Sequence, residues 1–172
     1  MTKNLFVLGA EQIDAILNGK ETEIIEIVKN TYLFHNAGKT ALPPSIFLRF
    51  PNDALNRIIG LPAYIGGDYN IAGIKWISSF PANIEKNRER ASAAIFLNEM
   101  ATGSVKAVLE GSIISAKRTA ASAALAAQYL HLNKEEVIGL IGCGRINREI
   151  LLFVKNIYPT IKKIFESVKK SL

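Results

Sequence analysis

The feature that most constrains the fold is a continuous apolar run, Val137-Ile138-Gly139-Leu140-Ile141, passing directly into Gly142-Cys143-Gly144-Arg145-Ile146-Asn147. Such an unbroken run is the mark of a strand buried on both faces of a parallel sheet. Parallel strands need a crossover, usually a helix, before the chain can return to the sheet, and the amphipathic segment Arg148 to Tyr158 supplies one. Strand, Gly-x-Gly turn and helix together form the opening unit of a dinucleotide-binding domain. Gly142 makes the tight turn, Gly144 leaves room for phosphates, and the helix N-terminus offers partial positive charge to a pyrophosphate. The position held by Asn147 is usually Gly or Ala, which lets helix and strand pack closely, so a plain strand-turn-helix stays open as the alternative. About 20 residues further on, such a unit has an acidic residue on the ribose hydroxyls. Ile161-Lys162-Lys163-Ile164-Phe165 starts a second strand, and Glu166 follows either as that ligand or as a surface charge. The shortness of the strand favours the surface reading.

The chain has 172 residues, enough for one sizeable core or a core plus part of another, and 30 of them follow Gly142. A dinucleotide domain has about six parallel strands. The expected domains are therefore 1–132 and 133–172, joined at Asn133-Lys134-Glu135-Glu136, the second holding only the first strand, turn and helix of an incomplete cofactor domain. Its strand should have exposed sheet edges, an aggregation hazard.

Upstream, the sequence predicts a mixed α/β arrangement. Asn4 to Leu8 reads as a strand, and Ile13, Ile16 and Leu17 recur at helical spacing up to Asn18-Gly19. Glu21 to Phe34 is a second helix, with Glu21, Glu23 and Glu26 at the end where the helix dipole favours anions. Pro43-Pro44 forces extended backbone before a strand at Ser45 to Phe50. Ile58 to Tyr64 and Ile71 to Ile77 read as strands flanking a Gly66-Gly67-Asp68 turn, Asn83 to Arg90 as a loop, and Ala91 to Leu97 with Val105 to Leu109 as an antiparallel hairpin. Gly111 to Leu130 is Ala-rich and is the longest helix expected.

Candidate ligands lie on several of these elements. Arg118, within Arg118-Thr119-Ala120-Ala121-Ser122, offers a bidentate fork for a carboxylate or phosphate, while the small residues around it suit close approach of a ligand or of another helix. Lys75, between Ile74 and Trp76, suits either a cleft or the exposed face of an alternating strand, and Arg49 has the same ambiguity.

The formal charge of +6 invites a nucleic-acid reading, but residues 155–172 carry +4 of it, leaving +2 for residues 1–154. Aromatic and basic residues are not interleaved, so no nucleic-acid partner is expected. One cysteine, Cys143, and two histidines, His35 and His131, make an internal disulfide impossible and a structural metal unexpected. Neither a membrane-length apolar run nor a signal-peptide layout occurs, which gives a soluble, cytoplasmic expectation with no membrane partner.

The succession Ile59-Gly60-Leu61-Pro62-Ala63-Tyr64, Gly73-Ile74-Lys75-Trp76-Ile77, Arg90-Ala91-Ser92, Glu110-Gly111-Ser112, Ile114-Ser115-Ala116-Lys117-Arg118-Thr119-Ala120-Ala121-Ser122 and Ile141-Gly142-Cys143-Gly144 resembles the ornithine cyclodeaminase and mu-crystallin family. Within it, the likeness is to the branch that makes 2,3-diaminopropionate for siderophores, and it extends to about Phe165. The resemblance implies a substrate-binding and dimerisation domain followed by a Rossmann-type parallel sheet, with NAD as cofactor and a homodimer as the assembly. It implies that Lys75 and Arg118 bind the substrate carboxylate, with Arg49 and Ser92 as further substrate contacts. Thr119 and Ser122 would border the cofactor phosphates, and Gly142, Gly144, Arg145 and Ile146 would hold them.

The implied reaction removes hydride from an amino-acid Cα to give an imine. Hydrolysis of that imine yields 2,3-diaminopropionate and 2-oxoglutarate; in the cyclodeaminase alternative, ornithine is converted to proline. The family's acidic catalytic residue belongs to the later part of its Rossmann domain, so no catalytic residue is assigned here. A chain ending within the cofactor domain, as a frameshifted or shortened reading frame would, also allows a non-catalytic dimerisation or ligand-binding role.

Overall fold

The computed structural model describes residues 5–131 and 136–167. They form the expected α/β chain, in which a mixed sheet is followed by a short parallel one. The elements are β1 (Phe6–Leu8), α1 (Ala10–Leu17), α2 (Glu21–Asn36), β2 (Thr40–Ala41), β3 (Ile46–Phe50), β4 (Asp53–Ile65), β5 (Ile71–Ser79), a 3-10 helix (Pro81–Lys86), β6 (Ala91–Glu99), β7 (Val105–Glu110), α3 (Ser112–Leu130), β8 (Val137–Ile141), α4 (Arg145–Ile157) and β9 (Lys163–Ser167). The segment expected to be a loop at 83–90 begins inside the 3-10 helix. Pro81 fixes φ at its start, and Asn87 closes it in a left-handed conformation at φ 53°.

By compactness the chain divides into Met1–Ile16 with Thr31–Ile114, and Leu17–Asn30 with Ser115–Leu172. The functional junction expected at 133–136 falls mostly on residues 132–135, outside the described residues.

The first unit is built on a seven-stranded sheet of order β1-β7-β6-β5-β4-β2, with β3 also paired to β4. All its pairings are antiparallel except β1 with β7. At 13 residues, β4 is longer than its apolar core suggests, because it hosts β5 along one edge and both β3 and β2 along the other. Pro62 falls in the gap between the β3 and β2 pairings and is opposite Ile74 of β5 on the other edge.

The second unit is held by a core of Ile24 and Ile25 from α2, Ala120, Ala121, Ala124 and Leu125 from α3, and Phe153 and Val154 from α4. Ala120, Ala121, Ala124 and Phe153 are completely buried. The Ala-rich stretch thus packs helix against helix, with small side chains allowing close approach. The strand expected to be buried on both faces differs: only Leu140 of β8 is buried, while Val137 and Ile141 are exposed. Among the described residues β8 pairs only with β9, in parallel, so one of its edges has no partner strand. A two-stranded sheet has too little surface to enclose its first strand.

Candidate functional site

Successive strand residues point to opposite faces. The register joins Leu61 to Lys75 and Lys75 to Ile95, and likewise Ala63 to Gly73 and Gly73 to Leu97. These six residues share one sheet face and line a cavity of about 550 Å³ in the first unit. The lining also includes Thr31, Tyr32 and His35 from the C-terminal part of α2, together with Thr40 and Leu42. Among the described residues Lys75 is the only lysine or arginine lining the cavity, and its cross-strand neighbours Leu61 and Ile95 are aliphatic. A low-dielectric setting strengthens the pull of an ammonium on a carboxylate.

Arg49 pairs with Arg57, and Arg57 with Ser79, which lies four residues from Lys75 on β5. The register therefore sets Arg49 on the Lys75 face, roughly 13 Å along the strand. Its guanidinium lies 5.9 Å from the centre of the Phe47 ring. Ser92 is separated from these residues: it pairs with Ser78 on the other face, and the two hydroxyls are 2.9 Å apart.

Sequence reasoning passed over His35 and Thr40. Gly38, at φ 68°, ends α2 with Gly38 N–H bonded to His35 O and Lys39 N–H to Phe34 O. Gly66 N–H then anchors Lys39 O at 2.8 Å. The turn sets His35 Nδ1 2.7 Å from Thr40 Oγ1. A glycine two residues before a threonine was the available signal, but a two-residue strand at Thr40–Ala41 is too short to read from alternation.

The remaining candidates occupy the second unit. Arg118 is exposed on α3, directly after Lys117, which is buried. Lys117 Nζ lies 3.3 Å from Glu149 Oε2 on α4, and this ion pair holds the two helices in register. Thr119 donates its hydroxyl proton to Ser115 O at 2.7 Å, and Ser122 donates to Arg118 O at 3.1 Å. Both hydroxyls thus point back along α3 and keep their oxygens as acceptors.

Gly142 adopts φ 86°, a conformation open to glycine, and its N–H bonds Ser167 O at 2.8 Å. Gly144 is the N-cap of α4, no side chain caps the helix, and a Cβ at Gly144 would meet no atom within 4 Å. Arg145 and Ile146 open the helix, and both are exposed. An uncapped helix start beside a glycine with open space fits a phosphate group. Asn147, the departure from the usual glycine pattern, has a local reason: its Nδ2 donates to Ile141 O at 2.9 Å and to Gly142 O at 2.7 Å, tying the turn to the helix. Glu166 lies on β9, and its carboxylate accepts a hydrogen bond from the Cys143 thiol. Burial first, then this bond and the carboxylate charge, push the thiol above its ordinary range, with Arg148 opposing.

Among the described residues no group of three or more His, Cys, Asp or Glu is placed to hold a metal ion, and no helix is long and apolar enough to cross a membrane. The model of the ornithine cyclodeaminase/mu-crystallin family matches residues 6–169. The chain is 41% identical over 111 residues to N-((2S)-2-amino-2-carboxyethyl)-L-glutamate dehydrogenase of Staphylococcus aureus, covering 64% of this chain and 33% of that one. It is 30% identical over 138 residues to alanine dehydrogenase of Archaeoglobus fulgidus, covering 80% and 40%. Among solved structures, an archaeal alanine dehydrogenase dimer with bound NAD superposes with TM-score 0.85 at 26% identity, over 96% of this chain and 49% of the other. The Δ1-pyrroline-2-carboxylate reductase of Thermococcus litoralis, in complex with NADH and L-proline, gives 0.86 at 27%, over 96% and 50%. The chain spans a third to a half of the length of these relatives.

Proposed function

The chain belongs to the ornithine cyclodeaminase/mu-crystallin family, and from that premise we propose that it supplies the substrate-binding part and the first cofactor-binding unit of an NAD-dependent amino-acid oxidoreductase. The proposed division of labour is 1–132 for substrate binding and dimerisation and 133–172 for the start of the NAD-binding domain. The observation that carries the proposal is Lys75, a single cation in an otherwise largely aliphatic cavity.

Oxidising a carbon between a carboxylate and an amine requires the carboxylate to be held still while charge is redistributed at Cα. Lys75 and Arg118 are assigned that role, with Arg49 as a further contact from the Lys75 face. Ser92, expected to join them, has less support because it lies on the opposite face. Gly142, Gly144, Arg145 and Ile146 would hold the cofactor phosphates at the uncapped start of α4, with Thr119 and Ser122 bordering them from α3. NAD, when bound, supplies the hydride acceptor. The Cα–H hydride leaves, the nitrogen loses a proton as the C–N bond becomes an imine, and water hydrolyses the imine to a carbonyl compound and an amine.

The finer proposal is that the amino acid is N-((2S)-2-amino-2-carboxyethyl)-L-glutamate, giving 2,3-diaminopropionate and 2-oxoglutarate. It is supported by the 41% identity to the dehydrogenase named for that compound. Calorimetric titration with this compound and with L-ornithine tests the choice: the first should bind and the second should not, and Lys75→Met should abolish the binding. Preferential binding of ornithine would replace the finer proposal with cyclodeaminase chemistry. Binding unaffected by Lys75→Met would overturn the site.

A further inference from the structure

The geometry points to a second recognition point in the Lys75 cavity, where the His35 and Thr40 pair receives a distal carboxylate of an extended amino acid whose α-carboxylate lies at Lys75. The inference rests on the amino-acid reading above for the Lys75 end alone. Thr40 pairs with Ile65, and Ile65 with Ile71, four residues from Lys75 on β5. The register therefore sets the Thr40 row four residues along the strands from the Lys75 row and two strands across. The wall between them is apolar, formed by Ala63, Gly73 and Leu97.

The His35 and Thr40 pair keeps a donor for the far end in every protonation state. His35 Nδ1 and Thr40 Oγ1 share one proton across 2.7 Å. If Nδ1 carries it, the threonine hydroxyl proton is left to donate elsewhere. If the hydroxyl donates to Nδ1, the proton on Nε2 is left instead. Either tautomer of the neutral ring leaves the pair with one donor, and an imidazolium would leave two. A carboxylate can accept from the pair in every state. An alkyl end would leave the pair's donor without a ligand acceptor and forfeit the bond. The turn through Gly38 and the Gly66 bond to Lys39 O fix the pair before a ligand arrives, which lowers the ordering cost of binding.

The test uses the full chain without NAD, titrated with L-2-aminoadipate and with L-norleucine, which share a six-carbon backbone and differ in the distal carboxylate. The aminoadipate should bind about tenfold more tightly, the worth of one hydrogen bond to a charged group. Thr40→Val and His35→Leu should each erase that preference by weakening aminoadipate binding. Thr40→Val is isosteric and keeps a β-branched residue in β2, so it serves if the His35 variant folds poorly by circular dichroism. Equal affinity for the two ligands, absence of binding by both, or a preference that survives Thr40→Val overturns the distal subsite. Because NAD takes no part, a failure of the oxidoreductase reading registers separately, as absence of NAD binding or turnover.

Discussion

Cys143 stands between the two glycines of the turn, and its thiol donates a hydrogen bond to Glu166 on β9. Burial and the neighbouring carboxylate favour the protonated form in the folded chain. A thiol whose folded value lies above its unfolded one adds stability below the unfolded value and loses it as pH rises through the folded one. Alkylation by iodoacetamide, which requires thiolate, should therefore rise at higher pH in the folded chain than in the chain unfolded in urea. Glu166→Gln removes the negative charge and should move the folded profile to lower pH. A profile that matches the unfolded chain, or that Glu166→Gln moves upward, would show that Glu166 is not its partner. The sequence left Glu166 between a ribose ligand and a surface charge. Its thiol contact was beyond reach, because it depends on the pairing of Leu140 with Glu166 in the parallel ladder. Asn147 is similar: its residue type counted against the glycine fingerprint, whereas its two carbonyl contacts brace the same turn.

At the scale of elements, α3 and α4 meet through an alanine stripe and one buried ion pair. Breaking a buried pair from one side leaves an uncompensated charge, at a cost of about 3 kcal/mol, whereas replacing both partners with apolar residues of similar size is often neutral. Lys117→Met and Glu149→Leu should each lower the midpoint of urea unfolding, Glu149→Leu more because it strands the more deeply buried partner, while the double variant should recover most of the loss. Two single losses that add in the double variant would show that the pair is not coupled. The helices and most strands were legible in the sequence because their apolar spacing and glycine stops are local. Gly19, expected to end the first helix, adopts positive φ just past it, and Gly38 does the same past the second. What local pattern could not supply was register. That Arg49 shares the face of Lys75 while Ser92 does not follows only from counting paired residues across β3 to β6.

At the scale of the whole molecule, the sheet face opposite Lys75 is unusually apolar for an exposed surface. Ile46 and Trp76 lie in one cross-strand row through Gly60, Leu48 lies on the same face, and their exposures are 62%, 40% and 44%. Contiguous apolar exposure of this kind marks an interaction surface, and the archaeal alanine dehydrogenase of like fold is a dimer. Sedimentation analysis should find a dimer that Trp76→Glu converts to monomer with its circular dichroism unchanged. A dimer indifferent to that change would place the interface elsewhere. The cofactor assignment, on which the oxidoreductase account turns, is tested most directly by titrating NAD into the isotopically labelled chain and following backbone amide resonances. The account predicts shifts concentrated at Gly142, Gly144, Arg145 and Ile146, with Thr119 and Ser122 beside them, and their loss in Gly144→Val. No shifts at the glycine turn, or shifts there that survive Gly144→Val, would contradict it.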